Sequence, residues 1–89
     1  LSIEPHEQIY YNHEGQLLET SIGNIVLKIE DQLYTPPVHL GLLNGIYRQS
    51  LIADNKLKEK VLTVKDMEQA QAIYGCNAVR GLYELKVEG

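Results

Sequence analysis

Three short stretches of this chain place residues where a charged ligand can be gripped. In the first, Glu19 precedes Thr20-Ser21-Ile22-Gly23-Asn24, which puts a carboxylate at the entrance to a tight polar turn. A carboxylate there can orient a protonated ring nitrogen or another cation, and burial strengthens the effect once the group is paired. It serves equally well as a solvated hairpin residue. Asn24 either satisfies the backbone of the turn or holds Glu19 in place.

The second stretch is Gly45-Ile46-Tyr47-Arg48, where the chain changes from alternating residues to a helical pattern. A helix start presents free N–H groups and a favourable local dipole to an anion. Arg48 adds a charge or ties down the preceding loop; in the plainer reading Gly45 is a conformational hinge and Arg48 a solvated surface residue. The third is Asn77-Ala78-Val79-Arg80-Gly81. Backbone N–H groups after a strand can cradle an oxyanion, and Gly81 lets the chain turn away without a side-chain clash. Arg80 either meets a carboxylate substrate or braces the loop. Cys76 reads as a small packed residue, since no sequence-local base marks it as a nucleophile. With His6, His13 and His39 it shows no metal-ligand spacing.

The elements that must position these stretches follow from residue pattern. Residues 1–8 carry Pro5 and read as a lead-in with no strong element, and 8–12 (QIYYN) as a strand turning at His13-Glu14-Gly15-Gln16 into a second strand that ends near Glu19. The β-branched run 24–29 (NIVLKI) is the strongest strand signal. After a polar turn at 30–32, Leu33-Tyr34-Thr35 resumes as a strand, which Pro36-Pro37 ends. A loop at 38–44 leads to a helix from about Gly45 to 54 or 55, its apolar face carrying Ile46, Leu51 and Ile52. Residues 56–60 read as a solvated charged link and 61–63 as briefly extended. Thr63 or Lys65-Asp66 then opens a short helix, Asp66 being the favoured cap with Gln69 in capping-box register, and strands follow at 73–76 and 82–87. This order predicts a single α+β domain over residues 1–89, with a mixed or antiparallel sheet and short helices.

Eight Lys and Arg against twelve Asp and Glu give a formal charge of -4, with no dense basic run to follow a nucleic-acid backbone. No apolar run approaches a membrane span. Hydrophobic residues at 44% and six tyrosines argue for a folded chain, and the single cysteine makes a cytoplasmic setting the default.

With these stretches laid out, the chain resembles the C-terminal part of the fold-type IV pyridoxal-phosphate enzymes, the class IV aminotransferase family. The matching pieces are LLETSIGNIVLKI at 17–29, LYTPPVHLGLLNGIYR at 33–48, LTVKDMEQAQAIYGCNAVRG at 62–81 and the final strand. Within the family, CNAVRG, TPP and GLLNGIYR look most like the 4-amino-4-deoxychorismate lyase branch of folate biosynthesis, including its form fused behind an aminodeoxychorismate synthase component. The resemblance implies that Glu19 faces the pyridine nitrogen of pyridoxal 5'-phosphate and that the Gly45-Ile46-Tyr47 backbone binds its phosphate. It places Asn77 and Ala78 by phosphate and substrate, Arg80 on the same loop, and Asn24 behind Glu19.

Two residues depart from the family pattern. Asn44 stands where many relatives have proline, and Ala78 where they often have a hydroxyl residue, so one side-chain donor to the phosphate is absent. The family's Schiff-base lysine lies before the strand that leads to Glu19. Here the first lysine is Lys28, after the turn and off the catalytic position. Residues 1–89 are therefore expected to form an incomplete subdomain of a lyase that yields para-aminobenzoate and pyruvate, inactive alone, its cofactor site belonging to the complete protein. An upstream segment or companion chain, a small-molecule substrate and a homodimer are the partners the resemblance implies. An aminotransferase fragment and a noncatalytic module derived from the fold are the alternatives.

Overall fold

The computed structural model describes residues 2–4 and 7–87, with side chains from 8 to 86. The chain runs β1 (Ser2–Glu4), β2 (Glu7–Tyr11), β3 (Leu17–Thr20), β4 (Asn24–Ile29), β5 (Gln32–Thr35), a 3-10 turn (Val38–Leu40), α1 (Ile46–Ala53), β6 (Leu57–Glu59), α2 (Val64–Gln69), β7 (Ala72–Asn77) and β8 (Gly81–Val87). The eight strands make one sheet in the order β3-β2-β1-β8-β7-β4-β5-β6. Only β5 and β6 are parallel among these pairs, so the sheet is mixed and the class is α+β, as the sequence pattern predicts.

β4 explains why the sheet has two cores. Its side chains alternate, and both sets are buried: Ile25 and Leu27 join Ile9, Leu17, Leu62, Met67 and Leu85, whereas Val26 faces Leu51, Leu57 and Cys76 under α1. A strand covered on both faces must be apolar throughout, which is why NIVLKI carries the clearest strand signal. The β3 edge is covered where Leu17 N–H donates to the Leu62 carbonyl at 2.7 Å and Gln16 bridges Thr63. No helix among the described residues is long and apolar enough to cross a membrane.

Several expectations change. Residues 2–4 form β1 between β2 and β8, where a lead-in without an element was expected; three residues are too few to show a pattern, and the pairing supplies the order. The charged link contains β6, because Leu57 is 1% exposed against α1 while Lys58 and Glu59 stay in solvent at the sheet edge. α2 begins at the earlier of its two expected starts, and Asp66 is not the cap. Thr63 is the N-cap, and it exchanges side-chain and backbone hydrogen bonds with Asp66, which occupies the third helical position. On α1, Ile46 is 77% exposed, and Tyr47 takes its place in the buried stripe because it stands one turn before Leu51.

Candidate functional site

The turn between β3 and β4 is closed by Thr20, whose N–H and hydroxyl both donate to the Gly23 carbonyl, at 2.8 and 3.0 Å. Gly23 lets this turn lie against the end of β7, since a Cβ there would come within 2.5 Å of the Cys76 carbonyl oxygen. The Leu43 backbone is gripped at both its N–H and its carbonyl. Its N–H donates to Glu19 Oε1 at 3.0 Å, and its carbonyl accepts from Asn24 Nδ2 at 2.7 Å. Glu19 and Asn24 thus cooperate through Leu43.

Gly45 follows as the N-cap of α1 with φ -61° and ψ 148°, a conformation open to any residue, so it is not a conformational hinge. Its smallness is what matters. A Cβ there would stand 2.6 Å from Asn24 Oδ1. No side chain caps the helix, which leaves the first-turn N–H groups directed outward.

β7 ends at Asn77, whose Oδ1 accepts from Val79 N–H at 3.0 Å and Arg80 N–H at 2.7 Å, while its Nδ2 donates to the Ile22 carbonyl at 3.1 Å. Gly81, at φ +71°, turns the chain into β8. The Tyr47 ring packs beneath it.

These pieces enclose a cavity of about 380 Å³ lined by residues 19–24, Leu43, Gly45, Ile46 and 76–78. Glu19, Asn24, Gly45, Ile46, Asn77 and Ala78 are brought together on its wall, and Tyr47, Arg48 and Arg80 are not. Arg48 is 2% exposed, which replaces the solvated reading. Arg80 lies over the Tyr83 ring, 4.2 Å from its centre, and so braces the hairpin. Cys76 is packed at the cavity wall; burial pushes its thiol from 9.0 up to about 11, against the opposing effect of the Arg48 charge. Sequence reasoning misses Leu43. It acts through its peptide group, and a backbone contact leaves no residue-type signal.

The cavity offers a carboxylate at one point and outward-facing N–H groups at another, a combination suited to a ligand that carries both a protonated nitrogen and an anionic group. Residues 4–86 match the family model for amino-transferase class IV. The chain belongs to that family, the fold-type IV pyridoxal-phosphate enzymes. It is 35% identical over 60 residues to a Schizosaccharomyces pombe protein named "Putative aminodeoxychorismate lyase", covering 65% of this chain and 26% of that one. Among solved structures, the "Putative 4-amino-4-deoxychorismate lyase" of Legionella pneumophila superimposes with TM-score 0.83 at 32% identity, over 89% of this chain and 31% of the other. A "Putative amino-acid aminotransferase" from Mesorhizobium loti fits equally, with TM-score 0.83 at 29% identity over 88% and 38%. The chain thus spans well under half the length of each.

Proposed function

We propose that this chain is the cofactor-binding C-terminal part of an aminodeoxychorismate lyase, an enzyme that releases para-aminobenzoate and pyruvate. The observation that carries the reading is the shared cavity of Glu19, the uncapped start of α1 and the Asn77-Ala78 corner. This donor set fits pyridoxal phosphate. Glu19 uses one oxygen on the Leu43 N–H, and its other oxygen has no protein hydrogen-bond partner among the described residues. When bound, pyridoxal phosphate supplies an electron sink for the bond-breaking step.

The chain's own residues bind and orient. Glu19 holds the proton on the ring nitrogen by charge, and Leu43 fixes the carboxylate that does so. The backbone N–H groups of Ile46 and Tyr47, following Gly45, take the phosphate. Asn24 locks the residues just before that helix start. Asn77 shapes the corner by which phosphate and substrate lie, Ala78 adds a backbone donor and no side-chain one, and Arg80 braces the hairpin that carries that corner. Arg48 supports the helix from behind.

Proton transfer needs a further group. None of the chain's lysines lines the cavity, so in this reading the reacting lysine comes from an upstream segment or a companion chain. The similarity to the S. pombe and L. pneumophila proteins supports the lyase branch. The equally good fit of the M. loti protein supports an aminotransferase as the second reading.

The test is product analysis of the complete polypeptide that carries this chain, supplied with aminodeoxychorismate and pyridoxal phosphate. Equal amounts of para-aminobenzoate and pyruvate are expected, and Glu19→Gln should lower the rate at least about 100-fold, as does removal of a charge-stabilising group elsewhere. Amino transfer to a keto acid without para-aminobenzoate would move the assignment to an aminotransferase. Turnover by residues 1–89 alone, proportional to their concentration, would refute the need for an outside lysine.

A further inference from the structure

Arg48 lies in the first turn of α1 and is 2% exposed, although the helix could fill that place with an aliphatic residue. Burying a guanidinium costs free energy unless its donors are met in good geometry. Here they are met by three separate segments. Nη1 donates to Asn44 Oδ1 at 2.8 Å, and Nη2 donates to the Pro36 carbonyl at 3.0 Å and pairs with Glu59 Oε2 at 2.5 Å. Nε is buried without a partner among the described residues, so the position is kept at some cost. Gln49 adds a donor to the Asn44 carbonyl at 2.9 Å.

The result is a double clamp on consecutive residues. Glu19 and Asn24, on the cavity wall, hold Leu43, while Arg48 and Gln49, which do not line the cavity, hold Asn44. Gly45 and the first N–H groups of α1 come immediately after. We propose that Arg48 is a positioning residue for the anion end of the cavity, fastening the start of α1 to the end of β5 and to β6 so that those N–H groups are aimed before a ligand arrives. The inference rests on reading that helix start as the phosphate site.

A lysine cannot reproduce the role, because it offers a point charge where Arg48 offers a planar fork reaching three ways. Among the described residues Glu59 is the one carboxylate on the guanidinium; it is 45% exposed, so it offsets part of a charge whose influence extends to Cys76 on the cavity wall. Glu59→Gln keeps an acceptor for Nη2 and removes the opposing charge.

The experiment uses the full chain, labelled for amide NMR, as wild type, Arg48→Lys and Glu59→Gln. Two quantities are read: amide exchange without ligand, and the response of the Ile46 and Tyr47 amides to inorganic phosphate and pyridoxal phosphate, with pyridoxal as the phosphate-free control. Arg48→Lys should accelerate exchange at residues 43–47 more than at the centres of β4 and β7, and weaken phosphate binding about tenfold. Glu59→Gln should leave residues 43–47 as ordered as in wild type and tighten phosphate binding about threefold at low salt, a gain that fades as salt screens it.

Acceleration spread evenly over the chain, or phosphate binding that Arg48→Lys leaves intact, would overturn the role of Arg48. A wild-type chain whose Ile46 and Tyr47 amides ignore both phosphates would instead overturn the phosphate reading beneath it. Should the lysine variant fail to fold, Asn44→Ala, which removes only the Nη1 contact, tests the same point: residues 43–47 that exchange, and bind phosphate, as in wild type overturn the proposal.

Discussion

Asn24 and Asn77 hold two parts of the cavity wall by different means. They sit at the same end of two adjacent antiparallel strands, Asn24 opening β4 and Asn77 closing β7. Asn24 is 4% exposed, and its amide reaches nineteen residues along the chain to the Leu43 carbonyl. Asn77 is half-buried, and its carbonyl oxygen serves residues two and three places on, with only Nδ2 crossing to the neighbouring turn at Ile22. One wall is therefore made by segments distant in sequence, and the other largely makes itself. The arginines repeat the contrast: Arg48 is enclosed by three segments, whereas Arg80 lies on its own hairpin against Tyr83.

The sharpest way to break this comparison is at the contact between Asn24 and Gly45. Asn24→Ala leaves the Leu43 carbonyl without its partner and should cost about 2 kcal/mol. Gly45→Ala should cost a similar amount by a different route, because its Cβ, built 2.6 Å from Asn24 Oδ1, must push the amide off Leu43. The two losses share one cause and should not add. Once Asn24 is alanine, Gly45→Ala should be nearly neutral, giving a coupling of about 1–2 kcal/mol in a denaturation cycle. Full additivity would mean that the glycine is needed for another reason.

Asn77→Ala should do less, about 1 kcal/mol, since its losses fall on a hairpin partly open to water that can replace them. The effect should also stay local, with amide exchange rising at residues 78–81 and not at 43–47. Equal disturbance of both segments would show that the walls are mechanically one unit.

This contrast also explains what the sequence discloses. The doubly buried β4, the breaks at Pro36-Pro37 and the hairpin at 77–81 are local and can be read from residue type. So can the start of α1, by the shift in periodicity. β1 and β6 are three residues each and exist through their partners, so no local pattern announces them. The grip on Leu43 is invisible for the same reason, being a backbone group held by residues far away. Arg48 is the instructive case: residue type leaves open a solvated charge or a tie to the preceding loop, and only Pro36, Asn44 and Glu59 around it decide for the tie.

The effect that is silent at neutral pH is expected where the walls meet, at Cys76, which pairs with Asn24 across the sheet and whose carbonyl abuts Gly23. Its thiol is raised from 9.0 to about 11, first by burial, with the Arg48 charge acting in the opposite sense. Below pH 9 the thiol is protonated in folded and unfolded chains alike, and its contribution is complete. Between pH 9 and about 11 the unfolded chain loses the proton while the folded chain retains it, so unfolding is favoured and this part of the stability is lost as pH rises. Comparing wild type with Cys76→Ala isolates the effect from tyrosine and lysine titration. Any stability difference due to packing should be constant through neutral pH, and wild type should then decline relative to the variant in alkali. A difference that stays flat up to pH 11 would mean that water reaches the thiol, and hence that the two walls do not close over Cys76.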